Sequence, residues 1–274
     1  MTTAPRLAPE SDRAPEIQEA SQAIPVSVVI ICKNEVEVIA DTLAGLARFD
    51  EVLVYDNGSS DGTQAICRSF SNVRVEEGDF FGFGPTKAHA CGLAKHNWVL
   101  SLDADERISE ELLTAIADWD FSQTQKVGEV RRDNQLMGKT IRYGGWGKDF
   151  LVRLFNTQAF NFNKEMVHEA VAWQGGSKQR LPGFITHQAY DNLGELLVKM
   201  NSYSDIRVKS GQVKVIPLPF IVLKSSITFI RNYFLRLGFF DGWRGFVIAY
   251  AQSVNVFFKY IKPYAQAKCE QSSS

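Results

Sequence analysis

The sequence predicts an α/β protein with a doubly wound, mostly parallel sheet and a C-terminal appendage of amphipathic helices. Three observations carry this. Short β-branched runs alternate with helical patterns through the N-terminal half. Each run ends in a polar cluster rather than a hairpin turn. Beyond Asp191 the pattern changes to long helical periodicity with aromatic stripes and basic side chains.

The 274 residues, 45% hydrophobic and 22% charged, suit one large domain over 25–190, a helical appendage over 191–268 and a short tail at 269–274. Net charge is −1, but unevenly placed. Residues 207–268 hold ten Lys/Arg against one acid, Asp241, so this segment carries +9 and the remainder −10. Such asymmetry points the C-terminal segment at an anionic surface. The four cysteines (Cys32, Cys67, Cys91, Cys269) show no CxxC or zinc-like spacing and read as reduced thiols in a reducing compartment. Residues 1–24 are polar and Pro-rich without an apolar signal-peptide core, and read as a disordered tail. The longest uncharged apolar-rich stretch, 245–258, falls short of the roughly 20 residues that span a bilayer.

In chain order, residues 26–32 are a β-branched run typical of a strand buried on both faces. It stops at Lys33-Asn34-Glu35, and Val38, Ile39, Leu43 and Leu46 then repeat with helical spacing. A second strand, 51–55, ends in the polar turn 56–63, whose Ser60 or Asp61 can cap a following helix. A weaker strand at 73–75, a Gly/Phe-rich loop at 78–84 and a helix from Pro85 to about Lys95 lead to a strand over 97–102. That strand runs into Asp103-Ala104-Asp105-Glu106. In extended chain Asp103 and Asp105 project together while Ala104 turns away. Two adjacent carboxylates suit a hard divalent cation such as Mg²⁺ or Mn²⁺; a solvated acidic loop capped by Asp105 or Ser109 is the simpler alternative. In doubly wound sheets ligands bind beyond the carboxyl ends of the strands, where Asn34/Glu35, Asp56 and Asp103/Asp105 all fall. No GxGxxG follows the first strand and no P-loop motif occurs. A nucleotide could still be held through base and ribose by Asp56 and Asn34, with its diphosphate on the metal.

These residues resemble a family 2 inverting glycosyltransferase of the GT-A fold. The resemblance rests on Asn34-Glu35 after the first strand, on Asp-x-Gly-Ser-x-Asp-Gly-Thr at 56–63 and on Asp-x-Asp at 103–105. Segments 142–146, 152–155, 167–169 and 237–242 resemble a narrower group, bacterial enzymes that add glucose to the inner core of lipopolysaccharide. The resemblance implies a nucleotide-sugar donor, a UDP-sugar, bound by Asn34, Glu35, Asp56, Lys87 and Asp103. It implies a divalent metal on Asp103 and Asp105, with His168 as a further ligand, and a glycolipid acceptor. The protein would then be cytoplasmic and peripheral on the inner face of the cytoplasmic membrane. Relatives place a base in a Glu-Asp pair after the Asp-x-Asp; here His168-Glu169 stands instead, so Glu169 is the candidate general base and Asp149 the second. Arg142 and Arg153 are candidates for acceptor phosphates, and Trp146 for stacking on a sugar ring or anchoring its loop. Of the C-terminal helices, near 191–208, 221–237 and 243–261, the last two are basic and aromatic. They read as lying in an anionic membrane interface, the alternative being packing on the sheet or on a second subunit of a homo-oligomer. No nucleic-acid module accompanies them.

Overall fold

The computed structural model describes residues 23–147, 149–165, 169–190, 192–209 and 213–272; the predicted N-terminal tail lies outside them up to residue 22, as does His168. The N-terminal half is β1 (Ile24–Cys32), α1 (Ile39–Ala44), β2 (Phe49–Asp56), α2 (Thr63–Arg68), β3 (Val73–Glu77), α3 (Phe83–Gly92) and β4 (Trp98–Asp103). The strands pair in parallel in the order β3-β2-β1-β4. Within β1, Val28 and Ile30 join Leu43, Val52, Leu100 and Ile116 on one face. Val29 meets Leu53, Cys91 and Phe155 on the other. Both faces are covered, which is why the strand reads as one apolar run.

The second half extends the same sheet. After β4 come β5 (Glu106–Ile108), α4 (Glu110–Ala117), β6 (Lys126–Leu136), β7 (Lys139–Thr140), β8 (Asp149–Asn156) and β9 (Ser177–Tyr190). The order continues β4-β8-β6-β9-β5, with β7 on β6. Here pairing is mixed: β8 is antiparallel to β4 and β6, β9 parallel to β6, and β5 antiparallel to β9. Ser109 caps α4, accepting a hydrogen bond from the Leu112 amide at 3.2 Å. Gly183 (φ +81°) lies against that cap, and a Cβ there would sit 2.4 Å from the Leu112 nitrogen. Cys32, Cys67 and Cys91 are buried, and burial pushes the Cys91 thiol up to about 12. They pack as small apolar groups.

α5 (Leu193–Lys209), α6 (Leu218–Ile230) and α7 (Gly242–Ser272) complete the chain. α6 does not continue to Leu237; a π-turn at Arg231–Leu235 and a 3₁₀ turn at Gly238–Asp241 join it to α7. Ser225 and Ser253 exchange hydroxyl-to-carbonyl hydrogen bonds, each 2.9 Å, between the two helices. The start of α7 docks on the sheet domain: Ile248 packs with Leu136 and Ile141, and Arg244 Nε donates to the Leu136 carbonyl at 3.1 Å. One side of the appendage therefore packs on protein, while Phe220, Leu223, Phe234, Leu235, Phe240, Trp243 and Tyr250 stay exposed. Among the described residues no helix is long and apolar enough to cross a membrane.

Candidate active site

The carboxyl ends of β1 and β2 are joined by a built turn. Asp56 is fully buried; its Oδ1 accepts from the Gly58 and Ser59 amides at 2.9 and 2.8 Å and from Gln64 Nε2 at 2.9 Å. Burial raises the Asp56 pKa, but these donors outweigh it and hold the carboxyl below its ordinary value. Asn34 takes a left-handed φ of +58° and clamps the same turn: its Oδ1 accepts from the Ser60 amide at 2.9 Å, and its amide donates to Ser59 Oγ at 2.8 Å. The Glu35 amide donates to Thr63 Oγ1 at 2.8 Å. Asn34 thus works on the protein's own backbone, fixing the rim on which a base or ribose would rest.

At the end of β4 the chain turns at once into β5. Residues 104 and 105 form a turn rather than extended strand; Ala104 is buried, its carbonyl accepting from Thr42 Oγ1 at 2.7 Å, while Asp103 and Asp105 are half-buried on either side of it. Asp103 meets two cations: Oδ1 lies 2.7 Å from Lys87 Nζ and Oδ2 3.0 Å from Arg153 Nη2. Burial opposes its charge, yet Lys87 and Arg153 hold its carboxyl well below the usual carboxylate range. Lys87, from α3, is only 3% exposed and also reaches Glu169 Oε1 at 2.7 Å. Burial works against the ammonium, and Asp103 with Glu169 more than offsets this, raising its pKa.

Glu106, which the sequence reading left unassigned, is the fully buried hub of the network. Its Oε2 accepts from the Asp103 amide at 3.0 Å, and its Oε1 meets Arg153 at 2.6 Å and Arg132 at 3.2 Å. Arg132 continues to Asp149 at 2.7 Å, its register partner across β6 and β8. Asn134 Nδ2 reaches the same Asp149 oxygen at 3.3 Å and the Trp146 carbonyl at 3.4 Å, which turns the amide oxygen of Asn134 to His187 Nδ1 at 2.7 Å. His187 Nε2 lies 3.4 Å from Asp105 Oδ2.

The structure gathers Lys87, Asp103, Asp105, Asp149, Arg153 and Glu169 into one cluster together with Glu106, Arg132, Asn134 and His187. Two assignments change. Arg153 is 4% exposed and holds Asp103 and Glu106, so it braces these carboxylates rather than lining a face open to acceptor phosphates. Trp146 stacks on Tyr190, with ring centroids 5.8 Å apart, and packs beside Ile141 and Ile248, which makes it a loop anchor. Arg142 remains exposed beside that loop.

Residues 27–162 match the family model described as glycosyl transferase family 2. Those residues form a glycosyl transferase family 2 domain. This glycosyltransferase is 28% identical over 260 residues to the lipopolysaccharide core biosynthesis glycosyltransferase LpsC of Rhizobium meliloti, covering 88% of this chain and 92% of the relative. It is 27% identical over 240 residues to an uncharacterized glycosyltransferase of Rickettsia typhi, covering 81% and 80%. Among solved structures, S. aureus TarS 1–349 matches with a TM-score of 0.43 and 15% identity over 84% of this chain and 80% of that one.

For the transferase, the donor set decides which residues could hold a cation. Both Asp103 oxygens already face cations, so Asp103 is less free than Asp105 to ligate a metal. Asp105 Oδ2 and His187 Nε2 lie 3.4 Å apart, and a carboxylate with a neutral imidazole is a donor pair whose chemistry would fit a divalent ion. Among the described residues no third His, Cys, Asp or Glu joins them, so the remaining positions fall to substrate oxygens and water.

Lys87 carries a stability prediction. Lys87→Met leaves half-buried Asp103, still held by Arg153, and half-buried Glu169 without their shared cation, which costs about 1 to 3 kcal/mol. Denaturant unfolding at neutral pH measures it. Asp103, whose pKa is depressed by folding, adds stability that is present above about pH 4 and lost as pH falls through its lowered native value. The wild-type advantage over Lys87→Met therefore shrinks on acidification.

Proposed function

We propose that this glycosyltransferase is a metal-dependent inverting enzyme that moves glucose from a UDP-sugar to the inner core of a lipopolysaccharide-type glycolipid. The observation that carries the reading is the Asp103–Lys87–Glu169 chain beside Asp105, which puts a candidate base and a candidate metal carboxylate on one rim. Support for the acceptor class comes from the similarity to LpsC.

In this reading Asp56 and Asn34 shape the rim that receives the uridine, and Asp103, held ionised by Lys87 and Arg153, accepts from ribose hydroxyls. Asp105 and His187 hold the divalent cation, which supplies counter-charge to the departing diphosphate when bound. Glu169, fixed beside the donor by Lys87, takes the proton from the acceptor hydroxyl as it attacks the anomeric carbon; such base catalysis contributes about 10²- to 10⁴-fold. Alignment of acceptor and donor provides further acceleration. The basic C-terminal helices hold the enzyme on the anionic inner face of the cytoplasmic membrane.

The test is a screen of UDP-, GDP- and dTDP-sugars for transfer to truncated lipopolysaccharide, with and without Mn²⁺. Metal-dependent transfer from UDP-glucose is expected. Transfer only to polyprenyl phosphate overturns the acceptor, and nucleotide binding without turnover overturns the enzyme reading in favour of a silent sugar-nucleotide-binding protein.

A further inference from the structure

The turn between α6 and α7 carries Phe234, Leu235, Phe239, Phe240 and Trp243, of which Leu235 is 75% and Phe240 63% exposed. Isolated exposed apolar residues are ordinary, but a contiguous set on one turn marks a contact surface. This turn is rigidly made. Leu237 takes a left-handed φ of +60°, and a Cβ on Gly238 would lie 2.6 Å from the Asn232 carbonyl. A Cβ on Gly245 would lie 1.8 Å from the Gly238 carbonyl, so only glycine lets α7 approach the turn this closely.

The surrounding charge selects the occupant. Arg231 and Arg236, both exposed, lie on this turn, while Arg244 is turned to the sheet domain through the Leu136 carbonyl. The one acid of the segment, Asp241, is turned inward: its carboxylate accepts from the Arg142 amide at 3.1 Å and the Tyr143 amide at 2.8 Å. The Arg236 carbonyl accepts from the Gly144 amide at 2.9 Å. An apolar tip that carries two exposed arginines, with the one carboxylate of the segment turned inward, complements an anionic lipid surface. Those same contacts clamp three consecutive amides of the loop at 142–147, which borders the active site through Trp146 and Asn134.

We propose that the turn at 231–243 inserts into the anionic lipid interface and that Asp241, a positioning residue, transmits this seating to the loop at 142–147, ordering the acceptor side of the active site. The inference deepens the membrane-bound transferase reading and rests on it.

Hydrogen–deuterium exchange of the full chain tests it, with vesicles of phosphatidylglycerol and phosphatidylethanolamine against phosphatidylcholine alone. The anionic vesicles should slow exchange in peptides covering 231–243 and 141–147 by about tenfold or more. In Asp241→Ala the protein should still co-sediment with them and protect 231–243, while the gain at 141–147 disappears. Leu235→Asp/Phe240→Asp, which leaves the clamp intact, should lose both protections. Co-sedimentation without any change at 141–147 in the wild type overturns the transmission and leaves the membrane reading standing. Absence of vesicle binding overturns both, and protection of 231–243 that rises with protein concentration without lipid assigns the tip to a second copy.

Discussion

Asp105→Asn should lower turnover by about 10²-fold or more while the fold stays intact. Asp105 lies in the short turn between β4 and β5 with its Oδ2 toward His187, outside the ion-pair network that packs Asp103, Glu106 and the two arginines. Removing its charge therefore costs little packing but takes away the carboxylate best placed to hold a cation at the donor diphosphate. Titration of Mn²⁺ by electron paramagnetic resonance, with UDP present, provides a readout separate from turnover: binding should weaken in Asp105→Asn and in His187→Ala. Near-normal turnover of Asp105→Asn in chelator-treated buffer refutes the metal assignment.

Glu169→Gln should cut turnover by about 10²- to 10⁴-fold with donor affinity nearly unchanged, because a base acts on the acceptor. The amide keeps the size of the side chain and can still accept from Lys87, so the 2.7 Å contact survives in weaker form. Asp149 is the rival. Its Oδ2 is held by Arg132 and Asn134, a position that braces β6 against β8. If Asp149→Asn abolishes turnover at unchanged stability while Glu169→Gln does not, the two roles exchange.

The parallel half of the sheet was legible because strands covered on both faces must be apolar throughout, and 26–32, 51–55 and 97–102 are nearly so. The Asp-x-Asp could be placed at a strand end for the same reason. β6, β8 and β9 escaped detection because one of their faces lines the active site: Arg132, Asn134, Asp149, Arg153 and His187 interrupt the apolar pattern and imitate a solvated loop. Single-sequence patterns register polarity, and a buried ionic cradle is as polar as a surface. Glu106 was visible only as the third acid in a run of four residues; its burial depends on arginines 26 and 47 positions away. The break in the α6 pattern was hidden because a π-turn keeps apolar residues in near-helical spacing.

The position of β5 has a kinetic consequence. Although β5 follows β4 after only two residues, it sits at the far edge of the sheet, where Glu106 pairs with His187 of β9. The parallel strands β1 to β4 can assemble from contacts within the first hundred or so residues, whereas β5 must wait for a partner that emerges much later from the ribosome. Closing so long a loop carries an entropic cost that only the completed β6–β9–β5 pairing offsets. The cradle around Asp103 and Asp105 therefore matures with the last strand, and a nascent chain arrested before β9 would expose β6 as an unpaired edge, open to association with other chains.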